Sequence, residues 1–237
     1  MQQMLNPAEI ELPEEAVVTD SVMHQVYRGE SELREEWGQD FDWRWEKIQE
    51  AVLSTQGELL TFEGEPITAA FFSTSNGYTE NSEDYWPNPI PYLRSVESPW
   101  DVNSPRFTSE KTMNVNEFQE KLGIALPENE TIGKITARTH GGRVATVSID
   151  GQELTGREIR EKLELDSSDF QWQRQGDQVV IQTKGWGHGV GMSQYGANGM
   201  AQEGKTYKEI VNYYYKDIKI QSTDNYIAKL AEGNSNS

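Results

Sequence analysis

Cysteine is absent from the 237 residues. Its absence removes disulfides, a thiolate nucleophile and any zinc site built on thiolates. It leaves the compartment open, because exported and cytosolic proteins alike do without it. Basic residues are scarce: 21 Lys and Arg stand against 39 Asp and Glu, a formal net charge of −18. Such a chain repels DNA, RNA and anionic lipid, whose binding rests on neutralised phosphate. A neutral or cationic partner suits it better, although acidity also serves solubility. No apolar run reaches the roughly 18 residues that a membrane span needs. Histidine occurs three times and never in an H-x-x-x-H pair, so His24 with His188 makes a weak metal site. No metal and no cofactor is expected.

Against these absences stands one dense motif, Gly185-Trp-Gly-His-Gly-Val-Gly-Met-Ser-Gln-Tyr-Gly-Ala197. Glycine is favoured where backbone takes positive φ or is approached closely. Gly185, Gly187, Gly189, Gly191 and Gly196 enclose His188, Ser193, Gln194 and Tyr195, all of which can hydrogen-bond or titrate. The spacing is not G-x-G-x-x-G, and no acidic residue stands at the dinucleotide distance. No Lys-Ser/Thr follows the glycines, which excludes a P-loop. A second polar cluster, Ser73-Thr-Ser-Asn-Gly-Tyr-Thr-Glu80, ends an apolar strand. An Asx or Ser/Thr turn serving only its own backbone is the other reading of that cluster.

The order of elements predicts an α+β fold of mixed helices and antiparallel hairpins. Helices are expected at 31–37 and 43–55, the second with Trp45, Ile48 and Val52 on one face and Gly57 as its stop. Strands at 59–62 and 67–72 flank a hairpin turn, and 93–96 is strand-like. Asn114, Thr155 and Thr206 each stand three residues before a Glu, the signature of a capped helix start. Hairpins are expected around His140-Gly-Gly142 and Gln175-Gly-Asp177, then a helix at 192–202 and a strand at 218–221. Residues 1–105 and 184–222 form the expected core domain, 106–183 an inserted α+β module and 223–237 a flexible tail. Met1-Gln-Gln-Met-Leu-Asn reads either as the last turns of a longer helix or as a short frayed start, not as a signal peptide.

Chemically, the two polar clusters suit a carbohydrate groove. Sugars are held by aromatic faces together with Asn, Gln, Ser and Tyr, and Tyr85-Trp-Pro-Asn-Pro-Ile-Pro-Tyr92 adds aromatic faces nearby. A triad of Ser193 or Ser75 with His188 and Asp84 or Asp101 lacks the G-x-S-x-G elbow. Cleaving a glycan needs a carboxylic acid of raised pKa. Glu80, Glu83 and Asp84 are nearest, but they lie in an acidic, polar run that reads as solvated.

The segments Phe71–Glu80, Pro91-Tyr-Leu-Arg-Ser-Val96 with Ser98-Pro-Trp-Asp101, the glycine-rich motif, and Thr206-Tyr-Lys-Glu-Ile-Val with Tyr213-Tyr-Tyr-Lys216 together resemble the stage II sporulation protein D (SpoIID) family of endospore-forming bacteria. The resemblance implies a lytic transglycosylase. Its substrate is peptidoglycan glycan already stripped of stem peptides, and its product carries a 1,6-anhydro-muramyl end. It implies work beside the amidase SpoIIP and the membrane protein SpoIIM during forespore engulfment, outside the cytoplasm between the septal or engulfing membranes.

Family members open with a membrane anchor, a Glu-Met-Pro segment bearing the catalytic glutamate, and an Ala-rich helix. None of these occurs in the sequence, so the chain is expected to lack the general acid/base and to be inactive alone. A glycan-binding or amidase-stimulating role is the alternative. Some relatives bind zinc through Cys and His; the matching positions here are Thr19 and His24, which predicts no zinc. On this reading His188, Ser193, Gln194 and Tyr195, with Gly189 and Gly191, form one wall of a groove. Ser73, Ser75 and Asn76 form the other.

Overall fold

A computed structural model describes residues 26–126, 132–224 and 226. The chain divides into two compact units, one of residues up to Thr68 with those from Lys219 onward, the other Ala69–Ile218. The expected boundaries at 105 and 184 both lie inside the second unit. The fold is α+β. The expectations placed on Met1–Asn6, Thr19 and His24 lie outside the described residues.

In the first unit, helices α1 (Glu30–Trp37) and α2 (Phe41–Ser54) precede strands β1 (Glu58–Phe62) and β2 (Glu65–Pro66). Phe41 is the buried residue of α2, and Trp45 stacks on it at 5.5 Å. The rest of the predicted apolar face stays open, with Ile48 and Val52 48% and 62% exposed. Strand β1 lies between β2 and β11 (Lys219–Ser222), antiparallel to both. The β1–β2 turn places Glu63 and Gly64 at φ 52° and 86°, the paired positive angles of a tight hairpin. The second arm is shorter than predicted. One more bond follows Pro66, from the Ile67 N–H to the Leu60 carbonyl at 3.0 Å, and Phe71–Phe72 (β3) pairs elsewhere.

In the second unit, sequence-encoded caps behave as read. Asn114 accepts from the Asn116 N–H at the start of α3 (Val115–Leu122), and Gly123 closes that helix at φ 70°. Thr155 and Thr206 form reciprocal capping boxes with Glu158 and Glu209, opening α4 (Gly156–Leu163) and α6 (Tyr207–Tyr214). Each such cap stabilises its helix by about 1 kcal/mol. Two three-stranded antiparallel sheets pack with α3 and α4. One runs β5 (Lys134–Arg138), β6 (Val144–Ile149), β7 (Gln152–Thr155). In the other, β9 (Gln178–Lys184) is central between β4 (Thr108–Asn114) and β8 (Phe170–Gln175).

Strand β9 alternates: Val179, Ile181 and Thr183 point inward, Gln178, Gln182 and Lys184 outward. Val179 and Ile181 join Phe118, Leu122, Val147, Ile159, Leu163 and Phe170 in the main core, while Thr183 bonds Ser109 Oγ at 2.7 Å. A smaller core joins Met200, Ile210 and Tyr214. Residues 93–96 do not form the predicted strand. Leu93 is fully buried, and its N–H and carbonyl are taken by Ile90 and Ser82 rather than by a ladder.

Candidate functional site

The two polar clusters are zipped together along their backbones. Thr74 and Trp186 exchange N–H···O bonds of 3.1 and 2.7 Å. The Glu80 N–H reaches the Gly189 carbonyl at 2.8 Å, and the Tyr195 N–H reaches the Ser73 carbonyl at 3.1 Å. Phe71–Phe72 runs parallel to Met192–Ser193 (β10), the strand that leads into α5 (Gln194–Gln202). Such close approach requires glycine at two places. Gly191 takes φ 82°, and a Cβ there would lie 2.0 Å from the Ala70 carbonyl oxygen. Gly189 takes φ 88°, and its Cβ would fall 2.5 Å from the Arg143 guanidinium carbon.

Beneath the zipped segments lies a buried hub on Asp101. The carboxylate accepts from the Ser75 N–H at 2.8 Å, from Ser98 Oγ at 2.6 Å and from Ser193 Oγ. Ser98 Oγ also bonds the Tyr214 hydroxyl at 2.7 Å. Ser75, Ser98, Asp101 and Ser193 are fully buried. Ser193 caps α5 through the Gly196 N–H. Ser75 and Ser193 therefore hold the motif from behind rather than face a ligand. Asn76 does likewise at the edge: its amide donates to the Gly141 carbonyl and to Asp169, both at 3.0 Å.

His188 belongs to a different layer. Its ring lies 5.5–5.7 Å from those of Trp86, Tyr85 and Phe72. Nδ1 accepts from the Val190 N–H at 3.0 Å. Burial, with the charges of Arg160 and Arg143, pushes the imidazole down to about 4, against a hydrogen bond to the Phe71 carbonyl that works the other way. The ring is neutral at pH 7 and touches neither Ser193 nor Asp101, so no triad is assembled. The unfolded ring titrates near 6.5 and binds more protons between those two values. Its contribution to stability is complete above pH 6.5 and is lost as pH falls towards 4. The stability advantage of wild type over His188→Asn should shrink by about 2–3 kcal/mol from neutral pH to pH 4 in urea unfolding. A pH-independent difference would refute this.

Glu80 corrects the sequence reading. It was expected to be solvated, yet it is 1% exposed. Its Oε1 accepts from the Arg143 guanidinium and from Thr139 Oγ1, both at 2.9 Å. Arg143 is equally buried, at 2%. Glu80 Oε2 and Arg143 Nε and Nη2 are shut from solvent without a hydrogen-bond partner among the described residues. Burial pushes the Glu80 carboxyl above its ordinary range, outweighing the pull of Arg143 and Thr139. Glu83, three residues on, is the opposite case: a two-pronged pair with Arg94, both bonds 2.6 Å, holds its carboxyl down to about 2.

Glu80, Glu83, Tyr85, Arg143, Arg157 and His188 line one hollow of about 320 Å³. Tyr195 lies instead in a smaller hollow of about 250 Å³ beside Trp100, Asn103 and Asn198, and Gln194 is exposed. The predicted site residues thus divide among a buried hub, an aromatic-walled hollow and a helix surface. The sequence signal for Glu80 was its partner Arg143, hidden 63 residues away. Among the described residues no cluster of three His, Asp or Glu could hold a metal ion, and no helix is long and apolar enough to cross a membrane.

No family model matches the sequence. The chain is 51% identical to stage II sporulation protein D of Bacillus subtilis strain 168 over 226 residues, 95% of this chain and 66% of that protein. It is 54% identical to stage II sporulation protein D of Bacillus amyloliquefaciens over 214 residues, 90% of this chain and 62% of that one. It therefore spans just under two thirds of the length of these relatives. A more distant likeness, 25% identity over 262 residues, links it to a Bacillus subtilis protein named amidase enhancer, of which it covers 35%.

Proposed function

The chain belongs to the stage II sporulation protein D family, and from that membership we propose that it is the glycan-holding body of a sporulation lytic transglycosylase. Its substrate is peptidoglycan glycan stripped of stem peptides. The observation that carries the reading is the 320 Å³ hollow, where the Tyr85 and His188 rings stand beside Glu80, Glu83, Arg143 and Arg157. Aromatic faces receive the C–H faces of pyranose rings, and the exposed Glu83 and Arg157 side chains receive hydroxyls, while the buried Glu80–Arg143 pair holds the wall behind them. Ser73, Ser75, Asn76, Ser193, Gly189 and Gly191 position this surface. Gln194 and Tyr195 extend it along α5.

Glu80 is not the proton donor in this reading, because Oε1 is taken and Oε2 is covered. Ion-paired Glu83 is a poor acid at neutral pH. The protein acts outside the cytoplasm between the septal or engulfing membranes, with SpoIIP and SpoIIM as partners and no nucleic acid. A second reading, stimulation of an amidase without glycan cleavage, draws on the likeness to the amidase enhancer.

The test incubates denuded glycan strands with the 237-residue chain. Retention of the strands in a pull-down, without release of anhydro-muramyl ends by mass spectrometry, is the expected result. Released ends would place the acid within these residues and make Glu80 the first candidate. Failure to retain glycan, combined with faster SpoIIP hydrolysis, would favour the second reading.

A further inference from the structure

Another hollow of the second unit lies away from His188 and exceeds the one beside it in volume. It measures about 710 Å³ and is lined by Asn76, Tyr78, Arg138, Gln171, Gln182 and Lys184 among others, within the size range of small-molecule sites. Its floor is the outward face of the β4–β9–β8 sheet. Register sets Lys184 opposite Thr108, and Gln182 opposite both Glu110 and Gln171. Gln171 Nε2 donates to Gln182 Oε1 at 2.9 Å, and Gln182 Nε2 donates to Glu110 at 3.2 Å. The same face continues past these residues to Gln173 in a further hollow of about 360 Å³.

Each feature selects a ligand chemistry. Side-chain amides carry donors and acceptors together and suit hydroxyl and acetamido groups. The Tyr78 ring is 46% exposed and offers a flat face at the edge. Lys184 makes no ion pair among the described residues, whereas neighbouring Arg138 is committed to Asp169 at 2.8 Å. One unpaired ammonium group on a chain of net charge −18 cannot hold a densely charged polyanion. With Glu110 on the same face, it suits isolated carboxylates spaced along a neutral polymer.

We propose that this sheet face is a second glycan-binding track and that Lys184 reads the free lactyl carboxylates of muramic acid residues. Removing a stem peptide converts the lactyl amide into a carboxylate, so an ammonium group at this point distinguishes stripped strands from unstripped ones. The inference rests on the glycan reading above and gives it a determinant of specificity outside the aromatic hollow. Lys184 is exposed, so its replacement leaves the core intact.

The experiment measures binding by calorimetry to two matched glycans, one with free lactyl carboxylates and one with those groups converted to methylamides. Wild type is expected to bind the free-acid strand about fivefold tighter, the scale of one exposed charge pair. Lys184→Ala is expected to abolish that preference while leaving methylamide binding unchanged, and Lys184→Arg to keep it. Equal binding of both strands by wild type, or a preference that survives in Lys184→Ala, overturns the inference and leaves the glycan reading standing. Binding of neither strand overturns both.

Discussion

Arg143→Ala is expected to destabilise the second unit by about 3–5 kcal/mol, because it strands the Glu80 carboxylate in a site closed to water. The geometry explains the size of the effect. Arg143 supplies the only guanidinium bonded to Glu80 among the described residues, and Thr139 alone cannot compensate a buried charge. The Glu80 carboxyl, already raised by burial, would rise further once its counter-charge is gone. A group whose folded pKa lies above its unfolded value contributes stability below that unfolded value, and the contribution is lost as pH rises through the folded one. The variant should therefore recover part of its deficit near pH 4 and be weakest at neutral pH.

Replacing both partners by apolar residues of similar size, Glu80→Leu with Arg143→Met, should cost much less than Arg143→Ala alone. Urea unfolding of the three proteins at two pH values checks both statements. A double variant as unstable as the single one would mean that the pair does more than neutralise itself.

Asp101→Ala should match that loss, at about 4 kcal/mol, by a different route. Alanine takes the charged acceptor from three buried donors, the Ser75 N–H, Ser98 Oγ and Ser193 Oγ, and leaves Ser98 only the Tyr214 hydroxyl and Ser193 only the Ser73 carbonyl. Each hydrogen bond to a charged group so lost costs about 1.5–3 kcal/mol before relaxation. Asp101→Asn should be much milder. Its amide oxygen can keep both the Ser75 N–H and Ser193 Oγ, while the Ser98 hydroxyl can turn and accept from its amide nitrogen. The Asn variant should retain glycan and the Ala variant should not, as read by pull-down at a temperature where both remain folded. Equal damage from both substitutions would show that the negative charge, not the bonding pattern, matters at the hub.

What could be read in the sequence, and what could not, follows the range of each interaction. Asn114, Thr155 and Thr206 announced their helices because a cap and its partner lie within one turn. The turns at His140–Gly142 and Gln175–Asp177 were legible for the same reason. Strand β4 was missed because Thr-Ser-Glu-Lys-Thr-Met-Asn is polar on nearly every residue; its pairing with Val179, Ile181 and their neighbours makes it a strand. The β3–β10 pair is two residues long and joins Phe72 to Ser193, beyond any local signal. The motif glycines marked close approach correctly, but not what approached them: a carbonyl at Gly191 and a guanidinium at Gly189. Glu80 looked solvated because Asn81, Glu83 and Asp84 follow it, while its surroundings are set by residues of a distant hairpin.

The Asp101 hub also carries a timetable. Its carboxylate needs Ser193, 92 residues later in the chain, and its neighbour Ser98 needs Tyr214, 116 residues later. A ribosome adding about 5–20 residues per second takes roughly 5–20 s to cover such distances. During that interval Asp101 has been made and its distant partners have not. The motif that defines the site can close only after Ser193 and Tyr214 have been made, and the hairpins between 134 and 184, whose contacts are local, have time to form first. Premature termination between residues 184 and 193 would therefore leave a chain with a preformed main core and an open, water-filled hub.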